Sequence, residues 1–275
     1  MYYTLNINGK LLSLDRPQVM GILNMTPDSF FADSRVQTEE EIAARAEQML
    51  ADGASIIDIG ACSTRPGSTP IDEKEEMRRL RIALKALSNL RSSSDRLLPT
   101  ERKKPQIISV DTFRPDVARM AVEEYGVSII NDVAEGQPDM LRMVSRLRVP
   151  YILMSARPTL RDTLLLFAER VQQLRDMGQK DIILDPGFGF GKTLEQNYEL
   201  MNQLEKLQVM ELPVLVGISR KSMIYRLLGC EPADALNGTT VLNTIALMKG
   251  ASILRVHDVK EAVECVSIVQ KLNGK

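Results

Sequence analysis

The chain has 275 residues, 44% of them hydrophobic and 26% charged, which allows a substantial buried core in one large domain or two small ones. A formal net charge of -1 argues against broad electrostatic binding to nucleic acid, while leaving room for local cationic pockets. No apolar run reaches the about 18 residues of a membrane span, and the N-terminus carries no signal-peptide pattern. Cys62, Cys230 and Cys265 are odd in number and lack metal-ligand spacing, so a reduced cytoplasmic protein is expected.

Residues 3–14 carry Asn8-Gly9 between short apolar segments and predict a small hairpin. Apolar runs then alternate with amphipathic helices, the runs being 19–23, 55–59, 107–110, 127–130, 151–154, 181–184, 214–216 and 252–256. Thr38 and Glu41 predict a capping box at the head of the first helix, in which Ile42, Ala46, Met49 and Leu50 share one face before Gly53 stops it. Residues 92–104 show no apolar period and predict a surface excursion ahead of the third run. Arg114-Pro115 opens the next clear helix, with Val117, Met120 and Ala121 inward and Gly126 closing it. The fourteen methionines are expected as core filler. Continuous apolar strands imply a parallel sheet covered by helices. Eight such units predict an α/β fold, a (β/α)8 TIM barrel with a short N-terminal β-hairpin, forming a single domain over residues 1–275. A doubly wound open sheet is the alternative.

A barrel carries its chemistry at the C-terminal ends of its strands. Those ends here read Asn24, Asp58, Asp111, Asn131, Met154-Ser155, Asp185, Ser219-Arg220-Lys221, and Arg255 with His257. A lone Asp after a strand is commonly a helix cap, but the whole set can point to one axis. Buried carboxylates then need Lys221, Arg255, backbone amides or a ligand to supply donors. A flat, nitrogen-rich ring with a ring N–H beside an amino group would match one carboxylate at two points, and Asn131 could read a neighbouring edge. Arg65, Arg255 and His257 suit an anion. No Ser-His-Asp or Cys-His set is evident, nor a His/Cys cluster for zinc.

The stretch Leu184-Asp-Pro-Gly-Phe-Gly-Phe-Gly-Lys-Thr193 invites a phosphate-loop reading. A P-loop, however, needs glycine where Pro186 stands, and a dinucleotide fingerprint needs glycine at Lys192. The informative residue is Asp185, and Lys192 need not touch phosphate.

Seven segments in order now resemble the dihydropteroate synthase family, from near Gln18 to the C-terminus. They are Met20-Gly-Ile-Leu-Asn-Met-Thr-Pro-Asp-Ser-Phe30, Asp58-Ile-Gly60 with Ser63-Thr-Arg-Pro-Gly67, Ile108-Ser-Val-Asp-Thr112, Ile130-Asn-Asp-Val133, Leu184 to Lys192, Gly217-Ile-Ser-Arg-Lys-Ser222 and Arg255-Val-His257. The resemblance implies a transferase of folate biosynthesis that joins 6-hydroxymethyl-7,8-dihydropterin diphosphate to p-aminobenzoate and releases diphosphate. It implies that Asp111, Asn131, Asp185 and Lys221 hold the pterin ring, with Met154 lining the site. Arg255 would lie against the pterin and reach the diphosphate together with His257, and Lys221, Arg255 and His257 would carry the catalytic work. Asn24 would bind the Mg2+ that accompanies the diphosphate. Thr64, Arg65 and Pro66, with Phe190 and Ser222, would shape the p-aminobenzoate site. The family also implies a cytoplasmic homodimer, a sulfonamide target, and an SN1-like path in which a neutral aromatic amine needs no strong base.

Three places depart from the family pattern. Met154-Ser155 replaces a common Met-His pair, Cys62 stands where glutamate is common, and the first loop reads Phe30-Phe-Ala-Asp-Ser-Arg35 with Asp33 displaced by one. A pterin-dependent methyltransferase and a pterin-binding homologue without catalysis are the alternative readings.

Overall fold

The computed structural model describes residues 3–25, 38–62, 71–95 (without the side chains of 91–95) and 107–274. Strands β1 (Thr4–Ile7) and β2 (Lys10–Ser13) pair antiparallel. Asn8 and Gly9 between them take φ of 50° and 81°, the left-handed pair that a tight hairpin turn requires.

Eight parallel strands follow: β3 (Gln18–Asn24), β4 (Ile56–Gly60), β5 (Ile107–Asp111), β6 (Ile129–Asp132), β7 (Tyr151–Met154), β8 (Ile182–Asp185), β9 (Leu215–Val216) and β10 (Ile253–Val256). Their spatial order is β8-β7-β6-β5-β4-β3-β10-β9. A parallel bridge between Leu184 and Val214, with Leu184 N donating to Pro213 O at 2.9 Å, brings the two ends together. The result is a nearly closed (β/α)8 barrel rather than an open doubly wound sheet. The helices between strands are α1 (Glu39–Ala51), α2 (Glu73–Asp95), α3 (Pro115–Tyr125), α4 (Pro138–Leu147), α5 (Leu160–Asp176), α6 (Leu194–Asn202), α7 (Ser222–Leu228), α8 (Leu236–Met248) and α9 (Val259–Leu272). Helix α7 is an extra turn of structure inside the β9–α8 connection.

Local signals explain the helix ends. Thr38 and Glu41 form the reciprocal capping box of α1, and Ile42, Ala46 and Met49 are buried beneath it, with Leu50 packed partly against the same core. Pro115 sits in the first turn of α3, and Gly126 ends that helix at φ 64°. One boundary differs from the sequence expectation: residues 92–95 are the last turn of α2 rather than part of a surface excursion. Polar serines can continue a helix that its preceding apolar face has already anchored. Strand β6 begins at Ile129 and runs on through Asn131 and Asp132, so its polar residues are strand residues and not loop residues.

Alternation along each strand sorts the side chains into two sets. Ile57, Ile59, Val110, Leu153, Leu184, Val216 and Leu254 join the helices in one apolar cluster. Met20, Ile56, Ile107, Ile129, Ile152, Ile183, Leu215 and Ile253 form a separate inner cluster, one residue per strand. The hairpin closes the foot of this inner layer with Leu5, Ile7 and Leu14. Asn6 N donates to Asp181 Oδ1 at 3.1 Å, and Asn8 Nδ2 donates to Ser128 Oγ at 3.1 Å; both bonds tie the hairpin to the barrel rim. Among the described residues no helix is long and apolar enough to cross a membrane.

Truncating Ile152, which is fully buried in that inner layer, removes packing from several strands at once. Ile152→Ala is expected to cost about 2–5 kcal/mol, read as a lower denaturant midpoint. An unchanged midpoint would show that the layer is not close-packed.

Candidate active site

Two residues beyond the inner apolar layer, the alternation that keeps one face inward changes character. The inward positions become Asp58, Ser109, Asn131, Met154, Asp185 and Arg255, on six different strands. Asn24, Asp111 and His257 come two residues later on their chains. Register places Asn24 beside Gly60, Gly60 beside Asp111, and Asp111 beside Asn131 across neighbouring strands. Gly60 leaves open the space between its neighbours: a Cβ there would sit 3.3 Å from Asn24 Oδ1 and 3.7 Å from Asp111 Cβ.

Arg255 ties this layer together. Its Nε donates to Asp58 Oδ2 at 2.6 Å and its Nη2 to Asp111 Oδ2 at 2.8 Å. Asn131 Nδ2 donates to the same Asp58 oxygen at 3.1 Å. Burial works against the guanidinium charge, but Asp58 and Asp111 outweigh it and hold Arg255 above its ordinary value. Burial also pushes the Asp111 carboxyl up to about 7, against the pull of Arg255. Asp58 had no assigned role in the sequence reading. The missed signal was its inward register with Arg255, which makes it the counter-ion that orients the guanidinium. Asp58 Oδ1, Ser109 Oγ and Asn131 Oδ1 are buried and meet no hydrogen-bond partner among the described residues. Two of these atoms are pure acceptors, and burying them unpaired is costly, so the arrangement suits a ligand edge rich in N–H donors.

Asp185 lies on the opposite side of the barrel mouth, only 6% exposed, and its Oδ1 accepts Gly187 N–H at 2.8 Å. Burial raises its carboxyl, with Lys221 opposing the shift. Burial lowers the Lys221 ammonium to about 8, with Asp185 opposing in turn. Lys221 Nζ donates to Phe188 O at 2.5 Å and sits 4.6 Å from the centre of the Phe190 ring, a cation–π distance. Lys221 thus feels the charge of Asp185 while its contacts are to the Phe188 carbonyl and the Phe190 ring. Ser222 follows as the first residue of α7. Met154 is fully buried at the end of β7.

The glycine-rich loop is not a phosphate cradle. Lys192 Nζ donates to Ser155 O at 3.1 Å, Gly187 O at 3.0 Å and Phe190 O at 3.2 Å, so the ammonium anchors the loop internally. Gly187 has φ 67°, and a Cβ there would lie 2.1 Å from Ser155 O, which no other residue could tolerate. Arg220, part of the polar end of β9, is also turned to structural use. It pairs in bidentate fashion with Asp258 at 2.9 Å and 2.9 Å and donates to the carbonyls of Pro232 and Ala233. Asp132 accepts from Tyr151 Oη at 2.6 Å and from the amides of Ala134 and Gly136, away from the Asp58–Arg255 group.

Of the three departures, Ser155 is buried and hydrogen-bonded to Thr163 Oγ1 at 3.3 Å. Burial raises the Cys62 thiol, with Glu76 adding to the effect. Glu76 itself pairs with Arg114, whose Nη2 donates to Ile71 O at 2.6 Å; the sequence reading treated Arg114 only as a helix opener. Thr64, Arg65, Pro66 and Asp33 lie outside the described residues.

The Asp111 carboxyl gives a pH test. Its folded value near 7 lies above its ordinary 3.8, so the folded chain holds a proton that the unfolded chain releases. Its contribution to stability is complete below about 4 and drains as pH rises to about 7. Asp111→Asn should make the fall in melting temperature across that window shallower. Identical slopes for the two proteins would remove Asp111 as its source.

Similarity to known proteins matches this geometry. The profile of the pterin binding enzyme family covers residues 20–257. A dihydropteroate synthase of Escherichia coli strain K12 is 36% identical over 278 aligned residues, spanning 95% of this chain and 94% of that protein. The Yersinia pestis dihydropteroate synthase in complex with a sulfonamide drug superposes with a TM-score of 0.88 at 36% identity, covering 99% of both chains. The Xanthomonas albilineans dihydropteroate synthase with 4-aminobenzoic acid gives 0.87 at 35% identity, covering 100% of both chains. The chain belongs to the pterin binding enzyme family and, within it, to the dihydropteroate synthases.

Proposed function

We propose that this chain acts as one pterin-binding barrel domain that condenses 6-hydroxymethyl-7,8-dihydropterin diphosphate with p-aminobenzoate, giving 7,8-dihydropteroate and diphosphate. The observation that carries the reading is the acceptor-rich layer at the C-terminal end of the strands. Asp58 Oδ1 and Asn131 Oδ1 are buried without partners among the described residues, and Asp111 and Asp185 stand in the same ring of strand ends. A pterin offers ring N–H and amino donors to such a layer. The 4-aminobenzoic acid bound by the Xanthomonas albilineans protein and the sulfonamide bound by the Yersinia pestis protein support an aryl amine as the second substrate. They also support sulfonamides as competitors for it.

Asp111, Asn131, Asp185 and Lys221 would grip the pterin edge, with Met154 packed behind them. Arg255 and His257 would face the diphosphate. Phe190 and Ser222, with Thr64, Arg65 and Pro66, would form the p-aminobenzoate side. The C–O bond between the pterin methylene and the diphosphate breaks with both electrons leaving on oxygen. The amine lone pair then forms the C–N bond, and the surplus proton on nitrogen passes to solvent or diphosphate. Arg255 and Lys221 would lower the cost of the departing negative charge. The amine is neutral near pH 7, so no general base has to act first.

Mg2+ fits this scheme through its leaving group. Among the described residues no three His, Cys, Asp or Glu side chains group into a metal cage. Mg2+ commonly takes one or two protein oxygens and completes its shell with water and substrate phosphate. Asn24, with its amide oxygen beside Gly60, would be such a ligand. Bound there with the substrate, the ion would neutralise charge on the diphosphate. A cytoplasmic homodimer is part of the same reading; light scattering tests its oligomeric state.

The direct experiment follows diphosphate release from the pterin diphosphate, with and without p-aminobenzoate and Mg2+. Release that depends on the amine, with 7,8-dihydropteroate as product, is expected. Methyl transfer without diphosphate release would sink the proposal. Asp185→Asn should weaken pterin binding by about 1–3 kcal/mol, and unchanged affinity by calorimetry would remove Asp185 from the pterin edge. Lys221→Ala should lower turnover severely in a folded protein. Near-normal rates would exclude Lys221 from the reaction.

A further inference from the structure

The chain has a single histidine, and its ring is held by a serine that the reaction as proposed does not use. Ser219 Oγ lies 3.1 Å from His257 Nδ1, and the same oxygen accepts His257 N–H at 3.2 Å. Ser219 is 4% exposed, and no other group among the described residues meets its hydroxyl. The meeting is enforced by the next pair along: Arg220 grips Asp258 through two hydrogen bonds. Two consecutive residues after β9 are therefore matched to two consecutive residues after β10.

A hydroxyl has one proton to give and two lone pairs to receive. One lone pair of Ser219 is taken by the His257 backbone N–H, which can only donate. The hydroxyl proton also needs an acceptor, because a buried O–H without one is destabilising. His257 Nδ1 is the acceptor within reach, and it can accept only if it carries no proton. We propose that Ser219 is a positioning residue that fixes His257 as the neutral Nε2–H tautomer, with the ring N–H on the edge turned away from Ser219. A ring so fixed offers a donor to an anionic oxygen. The opposite tautomer would present a lone pair there and repel it. The benefit to diphosphate binding rests on the function proposed above, whereas the tautomer itself does not.

One histidine means that a 15N-labelled sample shows one imidazole, so a long-range proton–nitrogen correlation spectrum reads the ring without assignment ambiguity. Nε2 couples to both carbon-bound ring protons, which distinguishes it from Nδ1. At a pH where the ring is neutral, the expected spectrum has a bare Nδ1 and a protonated Nε2. A protonated Nδ1 in the neutral ring overturns the proposal, and this needs no variant. In Ser219→Ala the two nitrogens should shift towards an averaged mixture of tautomers, and Ser219→Thr should restore the original pattern. An unchanged spectrum in the alanine variant also overturns it. With the pterin diphosphate as substrate, kcat/KM of Ser219→Ala should fall about threefold to tenfold, as for one misdirected hydrogen bond, with recovery in Ser219→Thr. If the wild-type chain releases no diphosphate, the proposed function fails, while the spectrum still decides the tautomer.

Discussion

The guanidinium of Arg255 is the interaction on which this site depends. It reaches Asp58 and Asp111 at once, and Asn131 is bonded to the same Asp58 oxygen. A fully buried Asp58 without its arginine would be an uncompensated charge, at a cost of about 3–5 kcal/mol, although the intact pair contributes little net stability. Such an ion pair is better understood as orientation than as glue. It fixes one oxygen of each aspartate and, among the described residues, leaves Asp58 Oδ1 and Asn131 Oδ1 without donors. The barrel thus carries an electrostatic deficit at the place where its strands end.

Much of the fold was legible because its signals are local. The Thr38–Glu41 box, the Asn8-Gly9 turn and the Gly126 stop each act within a few residues, and each forms as read. The end of α2 was not legible, because residues 92–95 lack an apolar period and continue a helix anchored upstream. The inward set of strand-end residues was readable from period-two alternation once strands were recognised. Strand ends also misled, since a polar residue after a strand can serve the scaffold. Arg220 does so through Asp258, 38 residues further on. Asp58 was visible as a residue, but its role was not, because its partner Arg255 lies 197 residues away.

The glycine-rich loop shows how similar residue strings can serve different chemistry. In a phosphate loop, lysine reaches outward to the ligand and glycines expose amides to it. Here Lys192 turns inward onto three carbonyls, and Gly187 is required by close contact with Ser155 O. Lys221, by contrast, is stationed over Phe190. Two lysines thus brace one loop: Lys192 binds the carbonyls of Ser155, Gly187 and Phe190, and Lys221 binds Phe188 O while lying over Phe190.

The hairpin at the opposite end has its own bearing on this chemistry. Leu5, Ile7 and Leu14 cork the barrel's foot, beneath a layer of isoleucines on which the carboxylates rest. A chain trimmed of its first fourteen residues would keep every proposed substrate contact yet leave the underside of that apolar layer uncovered. The isoleucine layer would then meet water from below, so a segment remote from any substrate helps to keep dry the floor beneath Asp58 and Arg255.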